Sequence, residues 1–560
     1  IALAGTDMLA LNIAGAGNVT VTSVATSTTS VDASESTGNI SVDTTAAAAG
    51  ALTSVATGSG DDTVTLTKET AGSNATISGG AGADTLTYNT GAVADIVQYS
   101  MSGFETLALN TINVAGLTFS GTNVSDLTTV SSNVSTVGAA SLVNMGAIDL
   151  TVNSLGVTAN AGAITSSHTG ATILNYTAAA ANVTAKTASA PLADYSFTGS
   201  TALTVNVGSY VDTTGSDITA ASATSVTVNV ASGMSSASTP LETSTLGGDM
   251  TIAKATSLTI NADGKIGVVG TAADIIAAKI TSATITATAQ TADLDLDAVL
   301  LETLTVSSAK AFNMTDSTLT AVQVADLTVN DGAFTLDTAL TKISTLTAAG
   351  SGVAGTSTAA SSFSLAALGG DNAYNMNVTA SGLKGGFLAT TVNTGAGYDI
   401  NVDGTGLAGA TAATTALTLG AIGATTTGAN VTVNTTGLKG AVDLSTIAAT
   451  GTVTLTNSST GAYDVGNISS AVAAINTTST VGAVTIGTIT TTGATTITNA
   501  STSTFAVEAI SAGITGDVTL ALDGTLGLVS GNTIAGNNVN VDVSNTIGGV
   551  QNNAATVGTM

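Results

Sequence analysis

Short runs in which every second residue is aliphatic recur along the chain at a nearly fixed interval, and this limits the fold more than any other feature. Val19-Thr20-Val21, Leu150-Thr151-Val152, Leu203-Thr204-Val205-Asn206, Val226-Thr227-Val228, Leu258-Thr259-Ile260 and Leu304-Thr305-Val306 are examples. Period-two alternation sends the aliphatic side chains to one face of a strand and Thr or Asn to the other. Leading aliphatic positions fall at Leu107, Leu127, Leu150, Ile173, Leu203, Val226, Leu258, Ala283, Leu304, Leu327 and Leu346, with steps centred near 22 residues and a few longer ones. One rung per repeat would stack strands about 4.8 Å apart and bury a continuous aliphatic column. The expected class is all-β, a β-solenoid of parallel β-helix-like rungs. β-Sandwich modules made from the same strands are the alternative.

Three regions are expected. Residues 1–110 form a β module with Gly-Asp turns, 111–355 a solenoid with rungs of about 22 residues, and 356–560 a second β-repeat module. The stretch Ala348–Ser362, rich in Ala, Gly and Ser, reads as a linker. Beyond it the phrase Tyr374–Leu383 returns at Tyr398–Leu407 and in part at Asn430–Leu438. Thr271–Ala278 is the one segment with a helical signature, Thr271 serving as N-cap with Asp274 three residues on.

Composition narrows the function classes. The chain has 36 acidic and 9 basic residues, a net charge of −27. All nine basic residues are Lys, so the clustered Lys and Arg that bind nucleic acid are missing. Sparse carboxylates with few counter-ions favour calcium, which takes oxygen ligands. There is no Cys and no Trp, and one His, His168, in a polar stretch read as a surface loop. That inventory is poor for catalysis, which leans on His as general base and Arg as charge clamp. The expectation is therefore a non-enzyme. No apolar run is long enough for a transmembrane helix. The chain opens at Ile1 without a basic and apolar leader, so part of a longer product is expected.

The sharpest motif is Gly79-Gly80-Ala81-Gly82-Ala83-Asp84-Thr85-Leu86-Thr87, which fits the calcium-binding nonapeptide G-G-x-G-x-D-x-U-x at each fixed position. A second copy, Gly58-Ser59-Gly60-Asp61-Asp62-Thr63-Val64, has Thr57 in place of the first Gly. Glycines permit a tight turn with inward carbonyls, Asp supplies a carboxylate, and the next aliphatic enters the core. With Gly103-Phe104-Glu105-Thr106-Leu107-Ala108-Leu109, these motifs make the chain resemble the repeat-in-toxin family, and more narrowly the calcium-dependent surface-layer proteins of bacteria. The resemblance implies type I secretion, calcium-driven folding outside the cell and assembly into a two-dimensional lattice on the cell surface. It implies Ca2+ as cofactor and Gly58, Gly60, Asp61, Asp62, Gly80, Gly82 and Asp84 as its turn and ligand residues. The chain itself is the expected partner, with lipopolysaccharide reached through a region not evident in the sequence. Unlike the family's tandem arrays, Asp62 and Asp84 stand 22 residues apart.

Asp293, Asp295 and Asp297 form a second acidic candidate. On a strand they share one face, with Leu294 and Leu296 on the other. They are read either as calcium ligands or as a solvated acidic edge that blocks strand addition. A secreted adhesin or extracellular fibre subunit is the alternative function. A β-helical lyase is a third, disfavoured by the lack of Arg and Trp.

Overall fold

The computed structural model describes residues 7–67, 71–89, 95–96, 99–111, 116–132, 139–156, 163–178, 194–232, 245–266, 273–288, 294–330, 332–350, 362–370, 376–382, 385–394, 398–403, 417–478, 482–523, 529–544, 550–552 and 555–557. Among these residues the protein is all-β. No α-helix occurs, and one 3-10 turn lies at Gly121–Asn123. The strands pair in parallel and stack as a β-solenoid, each rung giving one strand to a long sheet and one to an opposing sheet. By internal contact the chain forms two units, Ile1–Lys279 and Ile280–Met560.

In the first unit the register follows the sequence period. Ser41 pairs with Thr63, Thr63 with Thr85, Thr85 with Thr106 and Thr106 with Thr129, steps of 22, 22, 21 and 23 residues. One aliphatic column passes through Val21, Val42, Val64, Leu86, Leu107, Val130, Val152, Leu174, Val205, Val228 and Ile260. Every member is buried. Stacked like side chains at strand spacing fill the interior without polar loss, and each buried Val or Leu contributes about 2 kcal/mol.

The sequence period is right, and of the expected aliphatic positions one, Ile173, faces outward while the others are buried. Leu150, Thr172, Leu203, Val226 and Leu258 form a second inward column beside the first, and Leu127 is buried just ahead of its strand. Ile173 points outward and is 40% exposed, while its neighbour Leu174 takes the core position. Steps longer than the period are insertions that leave the register intact, as where Thr227 pairs with Thr259. The expected helix at Thr271–Ala278 is replaced by a strand, Ala273–Ile276, in which Ile275 pairs with Met250. Two β-branched Ile residues and a fully buried Ile275 outweigh a local cap signal.

The second unit repeats the scheme. Ala283, Leu304, Ala325, Leu346 and Val378 form an inward column that resumes at Val433, Leu455, Ile475, Ile497 and Leu520. Phe312, Phe334, Phe363 and Phe387 stack from rung to rung on the opposing sheet. The first two rings lie 6.0 Å apart and nearly parallel.

Candidate functional site

Both Gly-Asp motifs fall at one corner of the first unit, in successive rungs. The turns stack so closely that a side chain has no room there. A Cβ on Gly80, whose φ is +91°, would lie 2.0 Å from the Gly58 carbonyl oxygen. Gly82 meets Gly60 in the same way, and Gly58 meets the Ser36 carbonyl. The glycines therefore have a packing reason whether or not an ion binds. Thr57, which replaces the first Gly of the earlier motif, is buried and its hydroxyl donates to the Gly79 carbonyl.

The acidic side chains continue this stacking as a ladder. Asp62 Oδ1 accepts from the Ile40 N–H at 2.6 Å, and Oδ2 from the Gly58 N–H at 3.2 Å. Asp84 Oδ1 accepts from the Asp62 N–H at 2.7 Å. Glu105 Oε2 accepts from the Asp84 N–H at 2.8 Å. Exposed Asp61 accepts from the Ala83 N–H at 3.0 Å. Sequence reasoning missed Glu105 as a ladder member and also Asp126, whose carboxylate accepts from the Gly103 N–H. Rung arithmetic would have found them, since Asp62, Asp84, Glu105 and Asp126 follow one another at the solenoid step.

Asp84 differs from the others. It is fully buried, and its Oδ2 has no hydrogen-bond partner. Burial pushes its carboxyl up to about 6, and the charges of Asp62, Glu105 and Asp61 add to this against the Asp62 N–H. Oδ2 and the Gly103 carbonyl oxygen both flank the space where a Gly79 side chain would stand. These are hard oxygen donors suited to calcium. The fit is partial. Asp62 already has both oxygens engaged by backbone N–H groups, and among the described residues no three acidic or His side chains converge on one point.

The second acidic candidate lies in the other unit. Asp293 lies outside the described residues. Leu294 and Leu296 are fully buried on the strand Leu294–Asp297, and Asp295 and Asp297 are half-buried on its opposite face.

His168 is not a surface residue. It is fully buried beside Phe197, at the bend after the strand Ile164–Ser166. Nδ1 lies 2.8 Å from Ser166 Oγ and Nε2 2.7 Å from Thr172 Oγ1, which donates onward to Ser200 Oγ. Desolvation holds its pKa below the usual imidazole value, with Asp149 opposing. The polar flanks that suggested a loop are the groups that satisfy the ring inside the core.

With this geometry established, comparison with known proteins brought no match to a family model, a curated protein or a solved structure. Among the described residues no helix is long and apolar enough to cross a membrane.

Proposed function

We propose that this chain is a structural, non-enzymatic protein of the bacterial cell surface that assembles with copies of itself into a two-dimensional layer, with calcium as its cofactor. The observation that carries the reading is the desolvated Asp84 carboxylate in a rung-stacked acidic ladder. Asp84 Oδ2, the Gly103 carbonyl and Glu105 would hold the ion. Its chemistry would be charge neutralisation of a corner where carboxylates stack at rung spacing. A rigid rung stack presents wide faces for lateral contact, which suits a protein that works through interfaces. The repeat-in-toxin resemblance supplies the secreted setting, with lipopolysaccharide as an anchoring partner.

Negative-stain electron microscopy of the purified chain, with calcium and then with chelator, tests this reading. Ordered sheets that disperse with chelator are expected. Monomeric rods in both conditions would sink the lattice and favour the adhesin or fibre reading. The site itself is tested by thermal melting of wild type and Asp84→Asn. Calcium should raise the melting temperature of the wild type and leave the variant unmoved, because stabilisation follows ligand affinity for the folded state. An equal calcium response in both would remove Asp84 from the site.

A further inference from the structure

Part of the long sheet of the first unit turns an uncharged face to solvent, on a chain whose net charge is −27. Five consecutive strands make up the clearest part: Leu150–Gly156, Ala171–Ala178, Ala202–Val207, Ser225–Val230 and Ser257–Ala262. None contains a charged residue. Two outward columns cross them. Thr151, Ile173, Thr204, Thr227 and Thr259 form one, and Asn153, Asn175, Asn206, Asn229 and Asn261 the other.

The Asn column is a continuous amide ladder. Asn175 donates to Asn153 at 2.9 Å, Asn206 to Asn175 at 2.8 Å, Asn229 to Asn206 at 2.8 Å and Asn261 to Asn229 at 2.9 Å. Each amide carries two N–H donors and the ladder uses one, so a row of donors remains for a partner. The ladder also fixes the rotamers, which lowers the entropy lost on docking. Within the Thr column stands Ile173, a large apolar side chain 40% exposed where its paired neighbours Thr151 and Thr204 are polar. Exposed Asp149 and Asp263 border the face at the strand ends.

We infer that this Thr–Asn face, centred on Ile173, is a contact surface between two copies of the chain. The inference rests on the self-assembly reading and names the surface that assembly uses. Charge selects the occupant. Two like molecules of strong negative charge repel wherever carboxylates meet, and an uncharged face lets them approach without that penalty. An apolar centre, hydrogen-bonding surroundings and charged edges match the usual anatomy of a protein interface. Five strands span roughly 24 Å by 20 Å. That is a small patch, at the low end for a specific interface, so each contact is weak and gains its strength by repetition in a lattice.

The chain has no Cys, so single cysteines report contacts cleanly. Ile173→Cys and Thr204→Cys probe the face, and Ala81→Cys, at an exposed corner, is the control. Under calcium and mild oxidation, the full-length face variants should form disulfide dimers about tenfold faster than the control, because a docked pair raises the effective thiol concentration. Ile173→Asp, on an exposed site, should weaken self-association about tenfold while leaving the melting temperature unchanged. If sheets form but cross-linking is slow on the face, or equal at face and corner, the inference fails and the lattice reading stands. If neither sheets nor dimers appear, both fail.

Discussion

The two units place the same side chains on opposite sides of the same kind of sheet. In the first unit Asn153, Asn175, Asn206, Asn229 and Asn261 line the outside, and the interior column stays aliphatic. In the second, Thr435, Asn457, Thr477 and Asn499 form a paired column that is buried. Thr435 donates to Asn457 Oδ1 at 2.7 Å, and Thr477 donates to Asn499. The cause is one residue of phase. In Leu150-Thr151-Val152-Asn153 the Asn shares parity with Thr and faces out. In Val453-Thr454-Leu455-Thr456-Asn457 it shares parity with the aliphatics and faces in. Period-two geometry makes that single step decisive. Outside, an amide ladder shapes a surface; inside, it must satisfy itself because water cannot.

The largest effect is expected at the Gly-Asp corner of the first unit. Gly80→Val forces a Cβ onto the Gly58 carbonyl at a positive φ. It should destabilise by roughly 3 kcal/mol or more. Hydrogen exchange read by mass spectrometry should locate the loss in Ile1–Lys279 and leave the second unit protected. Loss spread evenly over both units would show that they unfold as one body.

Next in size is the buried ladder of the second unit. Asn457→Ala strips partners from Thr435 Oγ1 and from the Ser459 N–H, and should cost about 2 kcal/mol in urea unfolding. Asn206→Ala, on the half-buried outward ladder, should cost about 0.5 kcal/mol, since water can reach the partners it leaves. Equal losses at the two sites would refute the inside–outside distinction.

Acid should separate the units more gently. His168 is the sole histidine, and its folded pKa lies below the unfolded 6.5. The unfolded chain therefore binds more protons as pH falls, and stability at this site declines below about 6.5. His168→Gln should remove the decline, read as melting temperature against pH. Asp84 acts in the opposite direction. Its folded pKa is raised to about 6 from 3.8, so its stabilising contribution is complete below 3.8 and is lost as pH rises through about 6. Without calcium, Asp84→Asn should flatten that loss, and a profile unchanged by both substitutions would mean neither group titrates differently on folding.

The sequence by itself determined the strands, their parity and the repeat near 22 residues, because alternation and burial are local properties of short runs. It also marked the corner of stacked glycines and carboxylates, since Gly-Asp turns recur one rung apart. Only the tertiary structure decided which aliphatic of each run enters the column. Leu174 faces the interior where Ile173 was expected, because parallel pairing with the neighbouring rungs sets the register. It alone put His168 in the core, and it set the strand Ala273–Ile276 where the sequence predicted a helix over Thr271–Ala278. Each of these depends on what the adjacent rung presents about 4.8 Å away, a contact some 22 residues distant in the sequence and invisible to any local rule.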